Sequence, residues 1–106
     1  MIDLDKIEGF DWDAGNARKS EEKHRVTQAE TEQVFFNEPL FITPDEKHSE
    51  SEQRYRALGE TTNGRRLMII FTLRHTGTLI RVISARYMNA KERKFYEQEI
   101  KSNPEV

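Results

Sequence analysis

The chain of 106 residues contains no cysteine. This excludes a disulfide framework, a thiolate nucleophile and any zinc site built on Cys. Apolar runs are short, and none approaches the ~20 residues of a membrane-spanning helix. The opening Met-Ile-Asp-Leu-Asp-Lys-Ile-Glu lacks the basic and apolar regions of a secretory signal. A cytoplasmic protein without membrane attachment is expected. Also missing are a Gly-rich phosphate loop and a nucleophile elbow. His24, His48 and His75 are single and far apart. Each reads as a surface or structural histidine, so no metal site and no cofactor are expected.

What is present is charge, unevenly placed. Hydrophobic residues make up 35% and charged residues 34% of the chain, near the polar end for a globular protein. Residues 65–101 hold nine Lys/Arg and three Glu, a balance of +6. Residues 1–64 hold eight Lys/Arg and fifteen Asp/Glu, a balance of −7. The length predicts one domain over 1–106, with 1–9 as an acidic extended leader and 102–106 as a frayed tail.

The apolar runs Leu67–Arg74 and Leu79–Arg86 flank His75-Thr76-Gly77-Thr78 and read as a hairpin of central strands. Asn63-Gly64 is the strongest turn signal and joins the first of these runs to a strand over 54–60. Leu40–Thr43 reads as a short strand closed by Pro44-Asp45, and 45–53 as a loop. Phe10 and Trp12 alternate with Asp11 and Asp13, as on an edge strand with one buried face. Asp13 reads as the N-cap of a helix over 14–25. Thr27 with Glu30 is a capping box for a second helix over 28–37, burying Ala29, Val34 and Phe35 or Phe36. Asn89 with Glu92 caps a C-terminal helix. The order β-α-α-β-β-β-β-α predicts an α+β fold: an antiparallel meander with two N-terminal helices and one C-terminal helix.

The chemical signal is cationic. Arg81 lies inside an apolar strand and Arg86 at its end, with Arg54 and Arg56 on a neighbouring strand. An arginine in such a strand is either paired with a carboxylate, such as Asp11, Asp13 or Glu92, or faces a ligand. The guanidinium fork matches phosphate oxygens. Strand period sets a condition: Arg81 and Arg86 are an odd number apart, so a regular strand points them to opposite faces. They share a site only if the strand bulges or ends before Arg86.

Several motifs stand out together: Phe10-Asp11-Trp12-Asp13, Lys23-His24 with Val26, Pro44-Asp45 with His48, Glu52 with Arg54-Tyr55, Ala57-Leu58-Gly59, and Arg81-Val82-Ile83-Ser84-Ala85-Arg86 with Glu92-Arg93 and Tyr96. In combination they resemble the BrnT family of toxins from type II toxin–antitoxin pairs. They span residues 10–97 in the family's order and spacing. The resemblance implies a RelE-like fold and metal-independent endoribonuclease activity. It also implies a BrnA-like antitoxin with a ribbon-helix-helix end, through which the pair meets operator DNA. The family often has Gly where Arg25 stands, Asn where Ser20 stands and Lys where Asn16 stands. A Gly at 25 would ease a helix end by taking positive φ.

In RelE-like nucleases the ribose 2′-OH attacks the adjacent phosphate, which needs a base, an acid and cations around the phosphorane. The resemblance gives His24 the role of base or acid, with Lys23 and Arg81 on phosphate. Arg86 stabilises the transition state, and Arg54 is a further candidate for that work. Arg93 is a candidate RNA contact. Glu92 is either a base or, the reading preferred here, a helix cap. Tyr96, Phe10 and Trp12 read as packing residues. A non-catalytic module that shapes a DNA-binding complex with the antitoxin is the alternative function.

Overall fold

The computed structural model describes residues 2–48 and 51–102 of the chain, with the His48 side chain outside the description. Strands β1 (Gly9–Phe10), β2 (Phe41–Pro44), β3 (Tyr55–Glu60), β4 (Arg66–Arg74) and β5 (Leu79–Tyr87) form one sheet in the order β1-β5-β4-β3-β2. The helices are α1 (Lys19–His24), α2 (Gln28–Phe36) and α3 (Ala90–Ser102). Short 3-10 turns occupy Leu4–Lys6 and Glu46–His48. This is the α+β order that the sequence predicts. The sheet is mixed rather than wholly antiparallel, because β1 pairs with β5 in parallel. No helix among the described residues is long and apolar enough to cross a membrane.

The meander rests on two tight turns. Between β3 and β4, Gly64 takes φ +82°, its N–H donates to the Thr61 carbonyl (2.9 Å), and the Thr61 N–H donates to the Arg65 carbonyl (2.9 Å). A three-residue loop with a left-handed Gly suits the right-handed twist of a hairpin. Between β4 and β5, His75 and Thr76 take φ of 52° and 53°, and Gly77 follows at 89°.

Strand alternation gives the sheet two apolar faces. Leu67, Ile69 and Phe71 of β4 point to one face, where Val26, Val34, Ala57, Ile80, Val82 and Ala85 complete the main core. Each fully buried Val, Leu, Ile or Phe side chain among them contributes roughly 1.5–3 kcal/mol relative to exposure. Helix α2 approaches closely at Gly59, where an added Cβ would stand 2.8 Å from Val34 Cγ1. Phe10 and Trp12 pack against this core, as the sequence predicts. The opposite face carries a smaller cluster of Leu58, Met68, Met88 and Tyr96 under α3.

Three further sequence expectations change. The helix predicted over 14–25 is shorter: residues 14–18 form a turn, and the helix covers Lys19–His24. Asp13 caps that turn rather than the helix, its Oδ1 accepting from the N–H groups of Gly15 (2.8 Å) and Asn16 (3.2 Å). In α2, Val34 is buried but Ala29 is exposed and Phe36 is 78% exposed; Thr31 takes the inner position instead. The predicted loop over 45–53 contains a 3-10 turn at its start, and its residues 49–50 lie outside the described residues.

The outer edge of β5 is covered by side chains. β1 pairs only with Leu79 and Ile80. Beyond it, Asn16 Nδ2 donates to the Val82 carbonyl (3.0 Å), and Ser20 Oγ accepts from the Ala85 N–H (2.8 Å). Both side chains are buried and satisfy backbone groups that a bare edge would leave open.

Candidate functional site

A bulge in β5 sets the geometry. Met68 faces Arg86 and Ile70 faces Ser84, but Phe71 faces Val82 and Thr72 faces Arg81. Ile83 is therefore the extra residue of β5. Met68, Ile70 and Thr72 alternate onto one face, so Arg81, Ser84 and Arg86 share that face despite their odd spacing. Their partners on β4 are four residues apart, which separates the two arginines by about 13 Å along the strand.

Helix α3 covers only part of this face. Next to it lies a groove of two concavities that share Arg56 and Arg86. One, of about 270 Å³, is lined by Asp45, Arg54, Met68, Ile70, Ile83 and Ser84. The other, of about 480 Å³, is lined by Thr43, Leu58, Asn89, Lys91, Glu92 and Phe95. Cross-strand register explains the convergence: Arg56 sits opposite Ile70, and Ile70 opposite Ser84. Arg54 is two residues before Arg56 and follows the same period.

Arg86 is held by its end. Its Nη1 and Nη2 donate to Glu92 Oε1 (2.8 Å) and Oε2 (2.9 Å), and Nη1 also donates to the Tyr87 carbonyl (3.0 Å). A guanidinium has five N–H donors. The Nε–H and the second Nη2–H of Arg86 have no partner among the described residues, and these two form the side fork that fits a phosphate. Glu92 also closes a capping box, accepting from the Asn89 N–H (2.9 Å) and donating its own N–H to Asn89 Oδ1 (2.8 Å). Burial pulls the Glu92 carboxyl up. The Arg86 hydrogen bonds, the Asn89 N–H and the charges of Arg86 and Arg56 outweigh this and hold it below its ordinary range. It is an ionised anchor, and a poor proton acceptor at neutral pH.

Arg81 is paired. Its Nη1 lies 3.0 Å from Asp13 Oδ2 and 3.6 Å from Asp11 Oδ1. The hydrogen bond to Asp13 is the main cause raising the Arg81 pKa, and the same bond lowers that of Asp13. This is the carboxylate pairing that the sequence offered as one of two readings. Other arginines of the basic segment also meet acids of the first half: Arg65 with Glu30, and Arg74 with Glu52 at 2.6 Å. Part of the charge split along the chain is thus spent on internal pairing.

The predicted site residues do not form one cluster. Arg54 and Arg86 line the groove together. Arg81 stands farther along the same sheet face. Lys23 and His24 form the last turn of α1, beside the edge of β5, and neither makes a side-chain hydrogen bond or ion pair with a described residue. Arg25 closes that turn at φ 57°, a left-handed position that Gly adopts more cheaply. Arg93 donates from Nη1 to the Met88 carbonyl (2.8 Å), on the side of α3 away from Lys91 and Phe95. Tyr96 is buried, and its hydroxyl donates to Glu60 Oε2 (2.8 Å).

Sequence reasoning names Arg56 among the strand arginines without giving it a role, and leaves Lys91 and Phe95 out of the site. The two-residue spacing from Arg54 pointed to Arg56. Nothing local pointed to Lys91 or Phe95, because their place depends on how α3 crosses the sheet. Among the described residues, no group of three or more His, Asp or Glu side chains is arranged to hold a metal ion.

No curated protein sequence matches the chain. A family model described as the ribonuclease toxin BrnT of type II toxin–antitoxin systems matches residues 12–92. That range holds α1, α2, β2 to β5, the groove arginines and Glu92, and covers well over half of the sequence. The chain belongs to the BrnT family of type II toxin–antitoxin ribonuclease toxins.

Proposed function

We propose that the groove on the α3 side of the sheet binds single-stranded RNA and that the protein cleaves it without a metal ion. The carrying observation is that Arg54, Arg56 and Arg86 converge on one open groove, with the side fork of Arg86 left for a phosphate. In the proposed reaction the ribose 2′-oxygen attacks phosphorus, and its proton passes to a base. The bond from phosphorus to the 5′-oxygen breaks, and an acid protonates that oxygen. The products are a 2′,3′-cyclic phosphate and a 5′-OH. Arg86 stabilises the charge of the phosphorane. His24 serves as base or acid, with Lys23 beside it on phosphate; this requires RNA to pass from the groove over the end of β5 to α1. Arg81 acts from within its pair with Asp11 and Asp13. Arg93 contacts RNA only where the strand wraps beyond α3.

The α+β architecture is compatible with a RelE-like nuclease, and the proposed place of action is the cytoplasm. The antitoxin of such a pair is proposed to be BrnA-like, with a ribbon-helix-helix end that carries the complex to operator DNA. One observation favours the alternative, a non-catalytic module in that complex: Arg81 and Arg86 are both already paired with carboxylates. Purified protein incubated with single-stranded RNA in excess chelator separates the two. The expected result is chelator-resistant cleavage with 2′,3′-cyclic phosphate ends, lost in Arg86→Ala. Intact RNA, or ends bearing a 3′-OH, overturns the mechanism.

A further inference from the structure

The wider concavity holds a group that phosphate binding does not require. Phe95 lies on α3, is 42% exposed, and shares this cavity with Arg56, Arg86 and Lys91. Glu92, Tyr96 and Ile100, spaced by four, turn toward the sheet. Phe95 stands to their side, over the groove. Its ring makes no aromatic or cation–π contact among the described residues, whereas Phe10, Phe35, Phe41 and Phe71 all do.

A single exposed phenylalanine is ordinary. Its surroundings are not. Arg56 is exposed and makes no hydrogen bond or ion pair with any described residue, unlike Arg66, Arg74, Arg81 and Arg86 of the same sheet. The cavity of about 480 Å³ lies in the size range of small-ligand sites. An open guanidinium, a second guanidinium with its side fork open, and an unpartnered aromatic face are together the groups that recognise a nucleotide. The forks take phosphate oxygens, and the ring takes the face of a base.

We infer that this concavity is a subsite for one unpaired nucleotide of single-stranded RNA, with Phe95 stacking on the base and Arg56 binding its phosphate. The inference rests on the ribonuclease reading and specifies the substrate. A base within a duplex is already stacked on both faces and does not offer one to Phe95, so the subsite selects single strands.

The test uses the full chain and a single-stranded oligonucleotide with 2′-deoxyriboses, which lacks the attacking hydroxyl, and the same oligonucleotide annealed to its complement. Phe95→Ala should weaken binding of the single strand by about 5- to 150-fold. Phe95→Trp should retain it, and duplex binding should be weak and indifferent to either change. Arg56→Ala should reduce the slope of log K against log salt by about one phosphate contact. Melting temperatures should stay near wild type, since both side chains are exposed. Equal single-strand affinity in wild type and Phe95→Ala overturns the subsite. So does a Phe95→Ala variant that loses antitoxin binding and keeps RNA binding. If wild type cleaves RNA and Phe95→Ala cleaves with unchanged KM, the subsite alone fails. If wild type neither binds nor cleaves, the ribonuclease reading fails with it.

Discussion

Arg86 and Glu92 meet end to end, Nη1 to Oε1 at 2.8 Å and Nη2 to Oε2 at 2.9 Å, and the same carboxylate closes the capping box of α3. One side chain thus fixes the end of β5 to the start of α3. Substitution separates the two jobs. Gln keeps the box geometry but removes the charge; Ala removes both. Glu92→Gln should cost about 1 kcal/mol, because the pair is only partly buried, and lower the melting temperature by ~4–8 °C. Glu92→Ala should cost about 1 kcal/mol more. Equal melting temperatures for the two variants would show that capping is not part of the role.

The pH dependence follows from the direction of the shift. The Glu92 carboxyl in the folded chain is held below its ordinary 4.5, so its pair adds stability that is complete above that value. The stability is lost as pH falls through the lower folded pKa. The gap in melting temperature between wild type and Glu92→Gln should therefore be constant near neutrality and shrink below about pH 4.5. Tyr96 works at the other end: burial and the Glu60 carboxylate push its hydroxyl up from its ordinary 10.0. Its contribution is complete below that value and fades as pH rises through the higher folded pKa. A gap for Glu92→Gln that widens in acid would contradict this account.

Asn16 and Ser20 each have a structural task at the edge of β5. Asn16 Nδ2 satisfies the Val82 carbonyl, and Ser20 Oγ satisfies the Ala85 N–H, both on the edge that β1 leaves uncovered. Removing either partner leaves a buried backbone group without a hydrogen bond, at a cost of about 1–3 kcal/mol. Asn16→Ala and Ser20→Ala should each lower the melting temperature by several degrees. Cleavage per folded molecule should stay unchanged. A variant that melts like wild type would mean that water replaces the lost group.

Much of the framework could be read from the sequence because local rules decide it. The Asn63-Gly64 turn, the Thr27–Glu30 and Asn89–Glu92 boxes and the apolar runs of β4 and β5 each carry their own signal. The start of α1 differs from the sequence expectation because Asp13 is as good a cap for a turn as for a helix. The helix cannot start there: Asn16 must turn inward to reach β5, a long-range demand with no local trace. The odd spacing of Arg81 and Arg86 posed a question that only the bulge at Ile83 answers. Arg25 in a left-handed turn goes against its propensity, and tertiary contacts of Val26 in the core hold it there. The site was legible as arginine-rich but not as a groove, since its second wall is set by the crossing of α3.

Arg86 and His24 lie on different elements, and their variants should differ in kind. Arg86→Lys keeps a charge but loses the planar fork, so it should cleave RNA more like Arg86→Ala than like wild type. Arg86→Ala strands the half-buried Glu92 carboxylate and should lower the melting temperature by a few degrees; Arg86→Lys keeps an opposite charge but loses the bidentate bond, and should lower it less. His24 has no side-chain partner among the described residues, so His24→Ala should melt like wild type. If the imidazole moves a proton, the same variant should lose ~100- to 10,000-fold in cleavage rate. Antitoxin binding should survive in all three. Measuring melting temperature, antitoxin binding and cleavage on the same preparations separates loss of fold from loss of chemistry. A His24→Ala protein that cleaves at the wild-type rate would remove His24 from the reaction and leave the groove arginines as the place to look for the proton-transfer group.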